Sequence, residues 1–234
     1  TEDKQRKSRR LYERFRARPA ERLSGVDVLK RLGASDTPSF PSTSDMAARP
    51  FLKQIDSTKA GASEELLQEI RRLLANFDIP EDESDGALVF PSRLMELTPS
   101  GDIQIKVAKE LEDLLTKYAG RVRPQPYYAL LVADGDNMGK AIDHLTTLPD
   151  AQQRHAEFSL ALSQFAAQVS GIVLGHDGAL VYSGGDDIMA YLPLHTVLDC
   201  VHELAIRFAS DLSSFTADDG VAPTLSTGIA IVHH

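Results

Sequence analysis

Residues 180 to 192 read LVYSGGDDIMAYL, which sets two adjacent carboxylates, Asp186 and Asp187, inside an apolar run. Gly184 and Gly185 allow a tight turn, and the β-branched and aromatic residues on either side favour strands, so the acids belong at the tip of a hairpin. Two carboxylates side by side repel and drift toward neutrality unless a cation compensates them, and a hard divalent ion does that best. A second acidic set, DGDNMGK (134 to 140), follows the apolar run YYALLVA. There Gly135 and Gly139 let backbone amides approach phosphates at the start of a helix, and Lys140 adds a point charge.

The elements around these motifs must bring them together. In the C-terminal half the expected order is a strand at 127 to 133, a short helix toward Leu145, and a long helix carrying Phe158, Leu162, Phe165, Val169 and Ile172. Strands GALVYS and IMAYLPL follow across the GGDD turn, then the helix HTVLDCVHELAIRFASDL and a last strand TLSTGIAIVH. This is a βαββαβ ferredoxin-like unit with one extra helix. Its right-handed first crossover makes strands one and two parallel with strand three between them. DGD and GGDD, about fifty residues apart, therefore meet on one rim. Three or four converging carboxylates there suit two Mg²⁺ or Mn²⁺ ions about 3.5–4 Å apart and phosphoryl-transfer chemistry. Two ordinary solvated turns would not explain why an apolar strand leads into each acid set. A calcium loop of the EF-hand kind lacks its downstream Glu.

The N-terminal half has a different rhythm. Residues 1 to 22 form a basic charged arm with net charge +5, against −14 for the remainder of a chain whose total is −9. Arg6, Lys7, Arg9 and Arg10 on that arm are candidates to face RNA or an acidic partner. Residues 23 to 120 are expected to be mainly helical. One helix runs from about 21 to 32; residues 34 to 50 are loop-like, with SDMAARPFLKQI starting a short helix. A second helix spans 63 to 77. An acidic loop, PEDESDG, precedes a helix with a stripe of Ile105, Ala108, Leu111, Leu115 and Tyr118 that ends at Gly120. RVRPQP (121 to 126) reads as a linker before the sheet domain of 127 to 234. The fold class is thus α+β, a ferredoxin-like βαββαβ domain preceded by a mainly helical region.

At 234 residues, 42% hydrophobic and 25% charged, the chain can bury a real core. No stretch approaches about 18 uninterrupted apolar residues, and the charged start is no secretory signal, so a cytoplasmic, membrane-free setting is expected. The single cysteine, Cys200, sits in a helical apolar pattern and reads as a packed thiol, which leaves zinc and disulfide chemistry without ligands. His176–Asp177 in GHDG and Asp218–Asp219 in TADDGVAP read as plain turns.

YYALLVADGDNMGK followed by GALVYSGGDDIMAYLP resembles the palm domains of nucleotidyl cyclases and polymerases. More closely, it resembles the tenth Cas protein family, the large subunits of type III CRISPR RNA-guided effector complexes. ERLSGVDVLKRL, FPSTSDMAARPF and DGALVFPSRL resemble the Cmr (III-B) branch of that family. The resemblance implies conversion of ATP to cyclic oligoadenylate with two Mg²⁺ or Mn²⁺ ions, other effector subunits, guide RNA and target RNA as partners, and a role in antiviral defence. It implies Asp134, Asp186 and Asp187 as catalytic residues, the same three with Gly135 as metal ligands, and Gly135, Asn137, Met138, Gly139, Lys140, Gly184 and Gly185 around the nucleotide. The family's HD nuclease domain, first palm, cysteine-bearing zinc element and C-terminal helical domain are not visible, so an internal fragment is expected, and one that alone need not turn over. Diguanylate cyclases share the palm but read guanine with an asparagine at the position held here by Ile142. The alternatives are a non-catalytic scaffold subunit of the RNA-guided complex and, third, a diguanylate-cyclase or polymerase-type palm without visible thumb or fingers.

Overall fold

The computed structural model describes residues 40–79, 85–98 and 101–234. The basic arm with Arg6, Lys7, Arg9 and Arg10, the helix expected at 21 to 32 and most of the PEDESDG loop lie outside the described residues. Residues Pro41–His234 form one compact unit. It holds two hydrophobic cores, one among the helices of the first half and one beneath the sheet of the second.

The first core is built by α1 (Thr43–Thr58), α2 (Ala62–Asn76), a 3-10 turn (Asp85–Val89), α3 (Pro91–Leu97) and α4 (Asp102–Ala119). Helix α1 bears out the helix start expected at SDMAARPFLKQI, runs longer than expected, and corrects the loop-like reading of residues 43 to 50. Ser42 caps it in a reciprocal box, its hydroxyl accepting from the Asp45 amide at 3.1 Å while the Asp45 carboxylate accepts from the Ser42 amide at 2.9 Å. Burial of Met46, Ala47, Phe51 and Ile55 then outweighs the cost of Pro50 inside the helix. Helix α4 corrects a second expectation, because its buried row is Val107, Leu111 and Leu115, whereas Ile105 is 70% exposed. At 3.6 residues per turn Ile105 lies roughly 200° around the helix from Val107.

Gly86 fastens the 3-10 turn to α1. Its amide donates to Asp45 Oδ1 at 2.8 Å, and a Cβ on Gly86 would stand 2.4 Å from the Asp45 Cα. Gly86→Ala is therefore expected to cost about 1–3 kcal/mol, or several degrees in Tm, as overpacking against backbone does. Thermal denaturation of the variant checks this, and an unchanged Tm contradicts the packing.

The second half folds as β1 (Tyr127–Asp136), α5 (Met138–Thr147), α6 (Ala151–Gly175), β2 (Ala179–Gly184), β3 (Asp187–Leu192), α7 (Val197–Leu212) and β4 (Thr224–His233). The sheet order is β2-β3-β1-β4 with every neighbouring pair antiparallel. β1 and β2 therefore point the same way with β3 between them, the ferredoxin-like arrangement expected. Helices α6 and α7 cover one face, with Phe165 against Phe208 at 5.0 Å and Phe158 against Phe215 at 5.2 Å between ring centroids. Among the described residues α6 alone is long and apolar enough to cross a membrane; here Phe158, Phe165, Val169 and Val173 seat it in the core. Cys200 is fully buried in α7, and burial, then the Glu203 charge, pushes its thiol up to about 12.

The other sheet face is divided. At one end the helical half covers it, with Tyr128 in the first core and Ala179, Tyr191 and Val232 packed against that core. Lys53 pairs with Asp177 at 3.2 Å, and Arg49 donates to the Asp177 carbonyl, tying α1 to the turn before β2. At the opposite end the face is open, and the acidic motifs stand there.

Candidate functional site

β1 runs three residues beyond the strand expected from its apolar run. Asp134, Gly135 and Asp136 pair with Ser226, Leu225 and Thr224 of β4, so DGD is the end of a strand rather than a loop. β2 and β3 close on the pair Gly184 and Asp187, which leaves Gly185 and Asp186 as a two-residue turn. Gly185 takes φ +83°, the left-handed backbone that such tight hairpin turns require.

The two motifs meet at Gly135. A Cβ there would lie 2.8 Å from the Asp186 Cβ, 2.9 Å from Asp186 Oδ2 and 3.0 Å from the Met138 Cγ, so the missing side chain is what lets Asp186 fold over β1. One step past the paired Ala133 and Ile188, Asp134 of β1 and Asp187 of β3 follow on the open face. Partial desolvation, then the negative charges of Asp134 and Asp186, then a hydrogen bond to Asp134 that forms only when one of the two carboxyls is protonated, hold Asp187 above the usual aspartate range. Asp136 stands apart, because Ser226 of β4 donates its hydroxyl to it. Ser226 is a neighbour that sequence reading missed; the alternation of β4, once registered against β1, places it opposite Asp134.

Asn137 takes φ +61° and turns the chain into α5, whose first amides have no side-chain cap. Gly139 has nothing within 4 Å of where its Cβ would be, and Lys140 is exposed, so the helix start is open on the side of the acids. Gly184 also has a packing role. A Cβ there would fall 1.8 Å from the Tyr182 hydroxyl and 2.4 Å from its ring carbon Cζ, so this glycine makes room for a phenol lying along β2.

Among the described residues no three His, Cys, Asp or Glu side chains stand in ready ligating geometry. The donor types nevertheless suit a hard divalent ion: Asp187 lies in the field of the Asp134 and Asp186 carboxylates, and Gly135, beside Asp186, is kept free of a side chain. The turns set aside on sequence grounds make structural contacts instead. His176 pairs with Glu203 at 2.7 Å, Asp218 pairs with His144, and Asp219 accepts from the Val221 amide at 3.0 Å.

Since Asp187 holds its proton more tightly in the folded protein, its charge opposes folding above its raised range, and that penalty disappears as pH falls through it. Asp187→Asn is therefore expected to raise Tm at neutral pH without divalent cation, with the gain vanishing in acid. A Tm gain that is independent of pH contradicts this.

Residues 127–234 match the family model described as Cas10/Cmr2, second palm domain. The CRISPR system Cmr subunit Cmr2 of Pyrococcus furiosus is 32% identical over 155 residues, covering 57% of this chain and 18% of that protein. The chain thus spans less than a fifth of this relative's length. A solved structure of a type III-B Cmr-beta complex in its apo state matches with a TM-score of 0.54 at 14% identity, over 89% of this chain and 32% of that one. At that identity the likeness is one of fold.

Proposed function

We propose that the chain, whose residues 127–234 match the Cas10/Cmr2 second-palm family model, is the palm portion of a type III-B CRISPR effector large subunit, converting ATP to cyclic oligoadenylate when the complex binds target RNA. The observation that carries this reading is the seating of Asp186 over Gly135, which joins DGD and GGDD into one acidic site beside an open helix start. Asp134, Asp186 and Asp187, with the Gly135 carbonyl, would hold two Mg²⁺ or Mn²⁺ ions. Such ions, when bound, supply an activated hydroxyl and a clamp on the leaving phosphate oxygens. The chain's own part is positional. Asp134 and Asp187 fix the site on the open face, and the first amides of α5, from Met138 through Lys140, face the triphosphate. Gly185 holds the turn that delivers Asp186.

ATP is favoured over GTP because Ile142, at the position where diguanylate cyclases read guanine with an asparagine, has no hydrogen-bonding side chain and packs against the palm core. The same proposal assigns a basic arm to 1–22, a helical region to 23–120, a linker to 121–126 and the palm to 127–234. It assigns Arg6, Lys7, Arg9 and Arg10 to RNA or an acidic subunit surface, and other effector subunits, guide RNA and target RNA as partners in the cytoplasm. Calorimetric titration of the full-length subunit with ATP and with GTP in Mn²⁺ tests it. Tighter binding of ATP is expected; preference for GTP points to a guanylyl palm, and no metal-dependent binding of either to a scaffold.

A further inference from the structure

The open sheet face next to the acids is not featureless. Tyr182 of β2 pairs with Met189 of β3, and Met189 pairs with Val132 of β1, which pairs with Gly228 of β4. This row lies one alternation from Asp187, Asp134 and Ser226, on the same face. Val132 is 48% exposed and Tyr182 53% exposed, so the row forms an apolar floor that no part of the described chain covers.

Tyr182 is held in a particular direction. Its hydroxyl occupies the space a Gly184 side chain would take, and Gly184 is the cross-strand partner of Asp187. Directly opposed side chains in an antiparallel pair start about 4.5–5.5 Å apart. The phenol therefore points along β2 at the acidic rim, with its ring beside the floor of Met189 and Val132. The ring remains half-exposed.

We propose that Tyr182 is a nucleotide-positioning residue, its ring lying against the sugar and base of a nucleoside triphosphate whose reacting end is at Asp134, Asp186 and Asp187. This rests on the reading of the acids as the metal and nucleotide site. A nucleotide placed with its sugar hydroxyl at those acids has its next atoms over Met189 and against the Tyr182 ring. Contact with an aromatic face is tolerant of base identity, so Tyr182 contributes affinity and placement, and selection between bases lies elsewhere.

The test is calorimetric titration of the full chain with ATP and with GTP in Mn²⁺, for wild type, Tyr182→Ala, Tyr182→Phe and, as the control for the parent reading, Asp187→Ala. Loss of a base-stacking ring corresponds to roughly a tenfold weakening. Tyr182→Ala is expected to weaken ATP and GTP binding by about that factor with Tm unchanged, and Tyr182→Phe to restore most of the loss. If Asp187→Ala weakens binding while Tyr182→Ala leaves it at the wild-type value, the inference about Tyr182 falls and the site stands. If Asp187→Ala has no effect, or wild type shows no Mn²⁺-dependent binding, the site reading falls and takes the inference with it. A loss in Tyr182→Ala that Tyr182→Phe does not restore overturns the role of the ring.

Discussion

Asp186→Ala combined with Asp187→Ala in the full-length subunit is expected to abolish oligoadenylate synthesis, by on the order of 10³-fold or more, while the effector still assembles. A loss of that size follows when groups that stabilise charge in the transition state are removed. Neither residue supports the fold: Asp187 is exposed, and Asp186 sits in a two-residue turn over a glycine. Removing both ends the like-charge crowding with Asp134, so the variant should melt no lower than wild type without cation. Mass spectrometry of the products and size exclusion of the assembled complex read the two halves of this result. Undiminished synthesis rejects the catalytic assignment, and failed assembly rejects the claim that these acids serve only chemistry.

The second large effect concerns Asp134. Its charge acts on Asp187 from a neighbouring strand although 52 residues of sequence separate them. Asp134→Asn keeps the shape and removes the charge. If the three acids work as one unit, this variant alone should lose nearly as much synthesis as the double alanine change, and the triple variant should lose little more. ATP affinity should survive in part, because the α5 amides are untouched. Losses that multiply in the triple variant would show DGD and GGDD acting independently.

Most of the sheet domain could be read from residue order, because apolar runs such as YYALLVA and IMAYL have few alternatives and their spacing admits the ferredoxin-like topology. The meeting of DGD and GGDD followed from that topology alone. Other features were hidden for physical reasons. Gly135 looks like a loop residue, yet pairing with Leu225 across β4 keeps it in a strand, and only the approach of Asp186 explains why no side chain is tolerated. Gly184 looks like a turn or phosphate glycine, and nothing in its neighbours announces that the Tyr182 ring lies across it. In α1 the start at SDMAARPFLKQI was legible, but its full length to Thr58 was not, because it depends on a buried stripe that outweighs Pro50. In α4, Ile105 and Ala108 offered a plausible stripe, but packing selected the row through Val107.

The central claim is that Asp134, Asp186 and Asp187 are one divalent-cation site. Electron paramagnetic resonance of Mn²⁺ titrated into the full chain with ATP measures it directly, since free and bound Mn²⁺ give distinct signals. Saturable binding approaching two ions per chain is expected for wild type, lost to a similar extent in Asp134→Asn and in the Asp186→Ala, Asp187→Ala double variant. Equal Mn²⁺ binding by wild type and both variants would contradict the account.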